Sequence, residues 1–378
     1  MSTRRLGVSA ALVDGVLRPG DVEVDGDTVS RLGLPPAAGG RIAAPGLIDL
    51  QVNGFAEVDV MAADVDGIER ISTALTGFGV TAWLPTLITA PDSGTRRALG
   101  VLREALHRAP HPGTPGAQPL GVHLEGPFLS PERLGTHPPQ HRRDPDLDSL
   151  DAWRTLAPVV AVTLAPELPG ALDLVAKLAA DGVLVSLGHS DATAAEAHAG
   201  FDAGARTCTH LFNAMSPLRH RDPGLPGVAL TRPDVTVQII VDGHHLADDV
   251  VRLVWAAARG RVVLVTDATE ASAREEGEYA IAGVPVEVRA GAVRNEQGVL
   301  AGSALTLDTA VRNVCTLGID VAEALTAVTA TPASLVGRSD LGRLHPGGRA
   351  DLVVLEDDLH VRETWVGGRP VQATGDRG

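Results

Sequence analysis

Two histidines, a glutamate and an aspartate stand at equivalent places along this chain. His189 and His210 each close a short apolar run (Val183–Leu187 and Thr207–Thr209), with a helix-like segment from Thr193 to Gly204 between them. Strand, helix, strand is the βαβ unit, whose two strands run parallel, so both imidazoles emerge at the same C-terminal edge of one sheet. Two ordinary histidines at strand ends would give the same pattern. Glu125 tips the balance, because it closes a third apolar run, Leu120–Glu125, and brings a carboxylate to the same level. One carboxylate and two imidazoles are a ligand set used by catalytic zinc, which keeps a fourth position for water. A divalent cation so held lowers the pKa of its water toward about 7. Asp267, ending the run Val262–Asp267, then has the chemistry of a base that takes the water proton and returns it to a leaving group. Zinc is the first expectation for the metal, and iron(II) or manganese accept the same nitrogen and oxygen donors.

Further polar residues end apolar runs: Gln51 with Asn53, and Asp242 with His245. Any one of these residues could be a helix cap, Asp191 and Asp267 especially. A whole rim of ionisable groups is hard to explain by packing, since charged residues are rarely buried without partners.

The elements that must carry this rim follow from the texture after Leu47. Apolar runs at Leu47–Gln51, Thr81–Thr86, Leu120–Glu125, Val159–Leu164, Val183–Leu187, Thr207–His210, Thr236–Val241 and Val262–Asp267 alternate with helix-period segments such as Ile68–Phe78, Gly94–Arg108, Leu172–Ala180, Thr193–Ala203 and Ala247–Ala258. Eight strands with crossovers predict an α/β fold, a (β/α)8 TIM-like barrel whose chemistry sits at the C-terminal strand ends. An open doubly wound sheet is disfavoured because no Gly-x-Gly-x-x-Gly follows the first strand. Glu270–Leu300 reads as an inserted hairpin (Tyr279–Ala282, Val284–Val288, Ala292–Arg294), and Ala304–Leu317 and Val321–Leu335 as helices. Ala109–Pro119 reads as a surface loop, and Pro127–Pro145, carrying His137 and His141, as a long functional loop. Both ends are strand-rich, with Asp-Gly turns at Asp14 and Asp25 and strands at Ala350–Leu355, Val361–Val366 and Val371–Ala373. Residues 1–44 and 342–378 are therefore expected to form one small β-sandwich domain beside a barrel of residues 45–341.

Composition excludes several classes. A net charge of −15 argues against nucleic acid, and an anionic substrate would need a local cationic pocket. No run of 18 uncharged apolar residues predicts a membrane span, and Met1–Arg5 leads into the chain without an apolar signal core. Cys208 and Cys315 are the only cysteines, which fits the reducing cytoplasm, and Cys208 reads as a small buried hydrophobe. Lys177 is the only lysine and lies in a helix-like run, so a carboxylated lysine bridging two metals is not expected.

Several strings occur in one order: Ala44-Pro45-Gly46-Leu47-Ile48-Asp49, His123-Leu124-Glu125-Gly126-Pro127-Phe128, Gly135-Thr136-His137, Gly188-His189-Ser190, Thr209-His210-Leu211-Phe212-Asn213-Ala214-Met215, Asp242-Gly243-His244-His245, Thr266-Asp267-Ala268 and Ala301-Gly302-Ser303. Together they resemble the N-acetylglucosamine-6-phosphate deacetylase family of the amidohydrolase superfamily, from about Pro45 to Ala333. Leu344-His345-Pro346-Gly347 to Ala350-Asp351-Leu352 is similar to the superfamily's closing β segment. The resemblance implies removal of the acetyl group from the phosphorylated amino sugar. It implies Glu125, His189 and His210 as ligands of the catalytic metal, and Asp267 as general base and acid. His137, beside Thr136, would polarise the acetyl carbonyl and orient substrate. Asn213, Ala214, Arg221 and His245 would bind the sugar phosphate, with Leu300, Ala301 and Gly302 along the sugar. Part of the phosphate pocket would come from a neighbouring subunit, hence a homodimer.

The residues themselves suit parts of this. Arg221 is a suitable bidentate phosphate ligand, although a solvated loop arginine would read the same, and either His244 or His245 could face the site. One departure matters: many binuclear superfamily members carry His-x-His at the end of strand one, where this chain has Gln51-Val52-Asn53. One metal per subunit is expected, with Gln51 hydrogen-bonding near it. N-acetylgalactosamine 6-phosphate remains an alternative substrate, as does a catalytically silent sugar-phosphate-binding regulator. Dihydroorotase-like or adenine-deaminase-like activity is disfavoured by the missing His-x-His.

Overall fold

The computed structural model describes residues 3–108 and 116–371. Most of the stretch expected as a Pro/Gly-rich surface loop, 109–119, and the last two residues of the expected strand Val371–Ala373 lie outside them.

Eight parallel strands form the barrel: β1 (Leu47–Val52), β2 (Val80–Ile88), β3 (Val122–Glu125), β4 (Val159–Leu164), β5 (Leu184–Leu187), β6 (Thr207–Cys208), β7 (Thr236–Ile239) and β8 (Val262–Leu264). Each pairs with the next in sequence order, as right-handed strand–helix–strand connections dictate. β1 and β2 are buried along their whole length, as strands sealed on both faces must be. The ring closes just beyond the strands, through a parallel bridge from Val52 to Ala268 and a 2.8 Å bond from Asn53 N–H to the Ala268 carbonyl. Helices fall where the periodicity places them, with ends fixed by side chains. The helix Val65–Thr76 starts at Asp64, whose carboxylate accepts from Gly67 N–H at 2.8 Å. Thr193 and Glu196 form a reciprocal capping box on Ala194–Asp202, at the mouth side of β5.

Two helices were hidden by their composition: Leu147–Arg154, begun by Asp146, and Gly224–Thr231, which carries Pro226. The expected single helix Val321–Leu335 is instead two, Val321–Thr326 and Ala330–Leu335. Pro332 has no N–H, and its ring would collide with the Val328 carbonyl, so the helix must break there. The freed carbonyls are reused: Val328 accepts from Ile48 N–H of β1 at 2.8 Å, and Ala327 from Leu264 N–H of β8 at 3.1 Å. The break thereby ties the first and last barrel strands together at a point where they do not pair directly.

The two ends of the chain build a second sheet system. A six-stranded sheet runs Arg369–Val371, Val361–Val366, Leu352–Leu355, Ile42–Pro45, Ala10–Val13, Val16–Pro19. A three-stranded sheet (Arg4–Arg5, Asp21–Asp25, Thr28–Leu34) packs on it. Side chains alternate across a strand, and the alternation decides what each face covers. Ala43, Leu352 and Val354 join the core between the two sheets, while Ala44, Val353 and Leu355 pack with the barrel. Beyond β8, strands β9 (Gly277–Ile281), β10 (Val284–Arg289) and β11 (Ala292–Asn295) form an antiparallel sheet of their own. Among the described residues no helix is long and apolar enough to cross a membrane.

One buried carboxylate links β1 to the segment after β8. Asp49 Oδ2 accepts from the Thr266 hydroxyl at 2.6 Å, and its Oδ1 faces the N–H groups of Thr266 and Gln51 at 3.3 Å each. Burial raises this carboxyl to about 6, more than its hydrogen bonds from Thr266 and Gln51 lower it. A carboxyl whose folded pKa exceeds its unfolded one stabilises the fold below the unfolded value and loses that contribution as pH rises through the folded value. The stability of the wild type relative to Asp49→Asn is therefore expected to fall from about pH 4 to about pH 6, by on the order of 3 kcal/mol, then level off. Urea denaturation of both proteins across that range measures it, and a difference that grows with pH would refute the assignment.

Candidate active site

Glu125 is the last residue of β3, while His189 and His210 follow β5 and β6 by two residues each. Glu125 Oε1 lies 3.2 Å from His189 Nε2 and 3.0 Å from His210 Nε2, and the two Nε2 atoms are 3.1 Å apart. All three residues are buried. His189 Nδ1 lies 2.9 Å from the Arg133 carbonyl, which can only accept, so the His189 proton sits there and its Nε2 presents a lone pair. A lone pair aimed at a carboxylate oxygen is repulsive unless a cation lies between them. Ligand atoms about 2.1 Å from a tetrahedral ion stand about 3.4 Å apart, close to the spacing found here. The donor set thus fits a divalent cation.

The backbone turns left-handed at His189 (φ 48°), His210 (φ 29°) and Asp267 (φ 51°), where each strand has just ended. For residues with a Cβ that conformation costs on the order of 1–3 kcal/mol each and persists only where surrounding structure imposes it. Beneath Glu125, His189 and His210, polar groups inside the barrel satisfy one another. His123 Nε2 meets the Thr163 hydroxyl at 2.8 Å, and Thr163 meets Thr209 at 2.8 Å. Burial keeps His123 neutral, lowering it to about 4.

Asp267 lies three residues past β8 and lines the same cavity as Glu125, His189 and His210. Its Oδ1 accepts from Gln51 Nε2 at 3.0 Å and from Asn53 Nδ2 at 2.6 Å. Those amides leave their own oxygens, Gln51 Oε1 and Asn53 Oδ1, buried without a partner among the described residues. Burial, and after it the charge of Glu125, raises the Asp267 carboxyl to about 7, the range in which a group both takes and returns a proton at neutral pH. Gly302 stands against it with φ +57°, and a Cβ there would come 2.8 Å from the Asp267 carbonyl oxygen and 2.6 Å from Thr269 Cγ2. Only glycine fits.

His137 Nδ1 faces the Thr89 N–H at 3.3 Å and the Thr89 hydroxyl at 2.9 Å. A backbone N–H can only donate, so Nδ1 accepts and Nε2 carries the proton. Burial, with the neighbouring His189 and His210 rings, lowers His137 to about 3 and keeps it a neutral donor. His245 Nδ1 lies 2.8 Å from Asp242 Oδ2, and Asp242 Oδ1 accepts from the N–H groups of His244 and His245 at 2.8 and 2.9 Å. Burial alone would raise Asp242, but His245 outweighs it and brings the carboxyl to about 2.

These groups surround a cavity of about 480 Å³. Of the residues singled out in sequence, Thr136, His137, Asn213, Ala214, His245, Leu300 and Gly302 line it together with Glu125, His189, His210 and Asp267. Between the two candidate histidines, His245 is on the wall, while His244 Nε2 lies against the β10–β11 turn at Gly291. Three residues are off the wall. Gln51 is fully buried behind Asp267, and Ala301 turns into the core, its N–H on the Val293 carbonyl at 3.0 Å. Arg221 is exposed, because a tight turn joining the backbones of Arg219 and Asp222 at 3.0 and 3.2 Å carries it outward, where its Nη1 meets His220 Nε2 at 2.8 Å. Cys208 is buried, with its Sγ 3.8 Å from Met215 Sδ, and Lys177 pairs on the surface with Asp181 at 2.6 Å. Sequence reasoning missed Glu132 and Arg133, although the loop carrying them was marked by its length. It also missed Arg294 and the segment Gly298–Val299, which an insertion without an evident role gave no reason to select.

The sequence profile described as "Amidohydrolase family" matches residues 42–371. The chain is 40% identical over 333 residues to the N-acetylgalactosamine-6-phosphate deacetylase of Escherichia coli O157:H7, covering 87% of each. It is 37% identical over 331 residues to the N-acetylglucosamine-6-phosphate deacetylase of Vibrio furnissii, covering 86% of this chain and 82% of that protein. Among solved structures, it is similar to an aspartate-to-alanine variant of the N-acetyl-D-glucosamine-6-phosphate deacetylase from Mycobacterium smegmatis in complex with N-acetyl-D-glucosamine-6-phosphate. That match has a TM-score of 0.92 and 33% identity, and covers 98% of this chain and 100% of that one.

Glu125→Ala and His210→Ala are each expected to weaken retention of a divalent cation at least tenfold, roughly the effect of losing one ligand of a small set. Elemental analysis after dialysis against graded chelator measures this; undiminished metal in both variants would dissolve the proposed centre.

Proposed function

The chain belongs to the amidohydrolase family, and from that premise we propose that it deacetylates N-acetylglucosamine 6-phosphate, giving glucosamine 6-phosphate and acetate. The observation that carries the reading is the shared cavity in which Glu125, His189 and His210 converge beside Asp267 and the protonated Nε2 edge of His137. Glu125, His189 and His210 would hold one divalent cation per chain, zinc in the first instance, with iron(II) or manganese compatible with the donors. When bound, that ion supplies a Lewis acid that makes water nucleophilic near neutral pH and polarises the acyl oxygen.

The remaining work belongs to the chain. Asp267, held through Oδ1 by Gln51 and Asn53, keeps Oδ2 for the proton of the attacking water. The water oxygen bonds to the acetyl carbon while His137 Nε2–H donates to the acetyl oxygen, where negative charge develops. Asp267 then returns the proton to the amide nitrogen, the carbon–nitrogen bond breaks, and the amino sugar and acetate leave. Asn213, Ala214 and His245 would receive the phosphate end, and Thr136, Leu300 and Gly302 the sugar.

N-acetylgalactosamine 6-phosphate is the second reading, favoured by the 40% identity to a relative that bears that substrate in its name. The two sugars differ at one hydroxyl, so both would meet the same catalytic groups. We further infer a homodimer in the cytoplasm, with the exposed Arg221 loop available to a partner's phosphate pocket, and a division into residues 1–44 with 342–378 and residues 45–341. Free Cys208 and Cys315 support the reducing compartment.

Acetate release from the two phosphorylated sugars, with and without chelator, tests the function. Asp267→Asn keeps an oxygen for Gln51 and Asn53 but no basic site, so turnover is expected to drop roughly 10²–10⁴-fold with substrate affinity retained. Turnover close to wild type would remove Asp267 from the mechanism.

A further inference from the structure

An anionic substrate approaching a chain of net charge −15 needs a local cation whose charge is not already spent. Two arginines line the cavity, Arg133 and Arg294. Arg133 is committed: its guanidinium pairs with Asp191 at 2.6 Å and its carbonyl orients His189. Arg221, the arginine singled out in sequence, is off the wall of its own chain. Arg294 differs from both. It sits near the end of β11, and among the described residues no carboxylate pairs with it, even though Glu287 is its cross-strand neighbour. Among the described residues its side chain makes one hydrogen bond, from Nη1 to the Gly298 carbonyl at 2.8 Å.

That bond holds the side chain against the segment Gly298–Leu300, itself part of the cavity wall, and leaves the other guanidinium N–H groups without an acceptor among the described residues. The β10–β11 turn at Gly291 meets His244 Nε2, so the hairpin lies over the loop that presents His245. We propose that Arg294 is a specificity-determining contact for the phosphate of the substrate, supplied by the same chain that holds the catalytic groups. The proposal rests on the sugar-phosphate reading of the cavity and deepens it. A guanidinium with two adjacent free N–H groups matches phosphate oxygens bidentately, and the charge-assisted pair excludes the uncharged sugar by comparison.

Arg294→Met and Arg294→Lys test it, both at an exposed position whose side chain, among the described residues, bonds to one neighbouring loop carbonyl. Arg294→Met is expected to raise KM for the phosphorylated sugar about tenfold to a hundredfold, the loss of a charge-assisted pair, with kcat within about threefold. KM for unphosphorylated N-acetylglucosamine should stay unchanged, and Arg294→Lys should recover part of the loss. Equal effects on both sugars, or none, would overturn the proposal. Inorganic phosphate binding, followed by calorimetry on the metal-loaded protein, separates this from the function itself. Weaker phosphate binding by Arg294→Met supports the anion contact even if neither sugar phosphate releases acetate, an outcome that sinks only the deacetylase reading. Phosphate binding unaltered by Arg294→Met sinks the contact.

Discussion

Glu125 Oε1 and the Nε2 atoms of His189 and His210 are held within 3.2 Å of one another in a buried space, with the His189 lone pair turned toward the carboxylate. Left alone, such an arrangement loses to electrostatic repulsion and the cost of burial. It exists because each atom is mounted at the end of a different strand of one closed parallel sheet, and no strand moves without its neighbours. The barrel's closure is therefore part of the chemistry. Asp49 clasping Thr266, and the broken helix whose carbonyls accept from Ile48 and Leu264, hold together the first and last strands, from which Asp267 and its two amide partners project.

The surrounding groups differ in protonation state, and the fold sets each state through burial and fixed partners. His137 stays neutral because it is buried near two other imidazoles, and its tautomer is chosen by a backbone N–H. Asp267 stays near neutrality in pKa because it is buried close to a second carboxylate. Asp242 goes the other way, its ring partner outweighing burial. Neighbouring side chains of similar type thus titrate in opposite directions through surroundings alone.

The alternation of apolar runs and helical segments was legible in sequence, and so were the chemical groups, because a parallel barrel puts every strand end on one rim. Glu125, His189, His210 and Asp267 needed only their place at the end of a run. What sequence did not disclose depends on direction. Gln51 and Ala301 sit beside site residues in the chain yet point behind the wall, and Arg221 is carried outward by a turn whose hydrogen bonds no periodicity encodes. The split of Val321–Leu335 was legible in principle, since Pro332 forbids a continuous helix, but the apolar pattern runs straight through it. Arg294 was illegible for a different reason: Glu287 is its cross-strand neighbour, yet among the described residues no carboxylate pairs with its guanidinium, which only three dimensions reveal.

The left-handed backbone at His189, His210 and Asp267 sets the ease of the main chain against the side chains the cavity holds. At each of these positions glycine would sit more comfortably than the residue that does the work. Glycine at any of the three would relieve the backbone while removing a side chain that lines the cavity, so local comfort and the cavity's chemistry are opposed at the same residues.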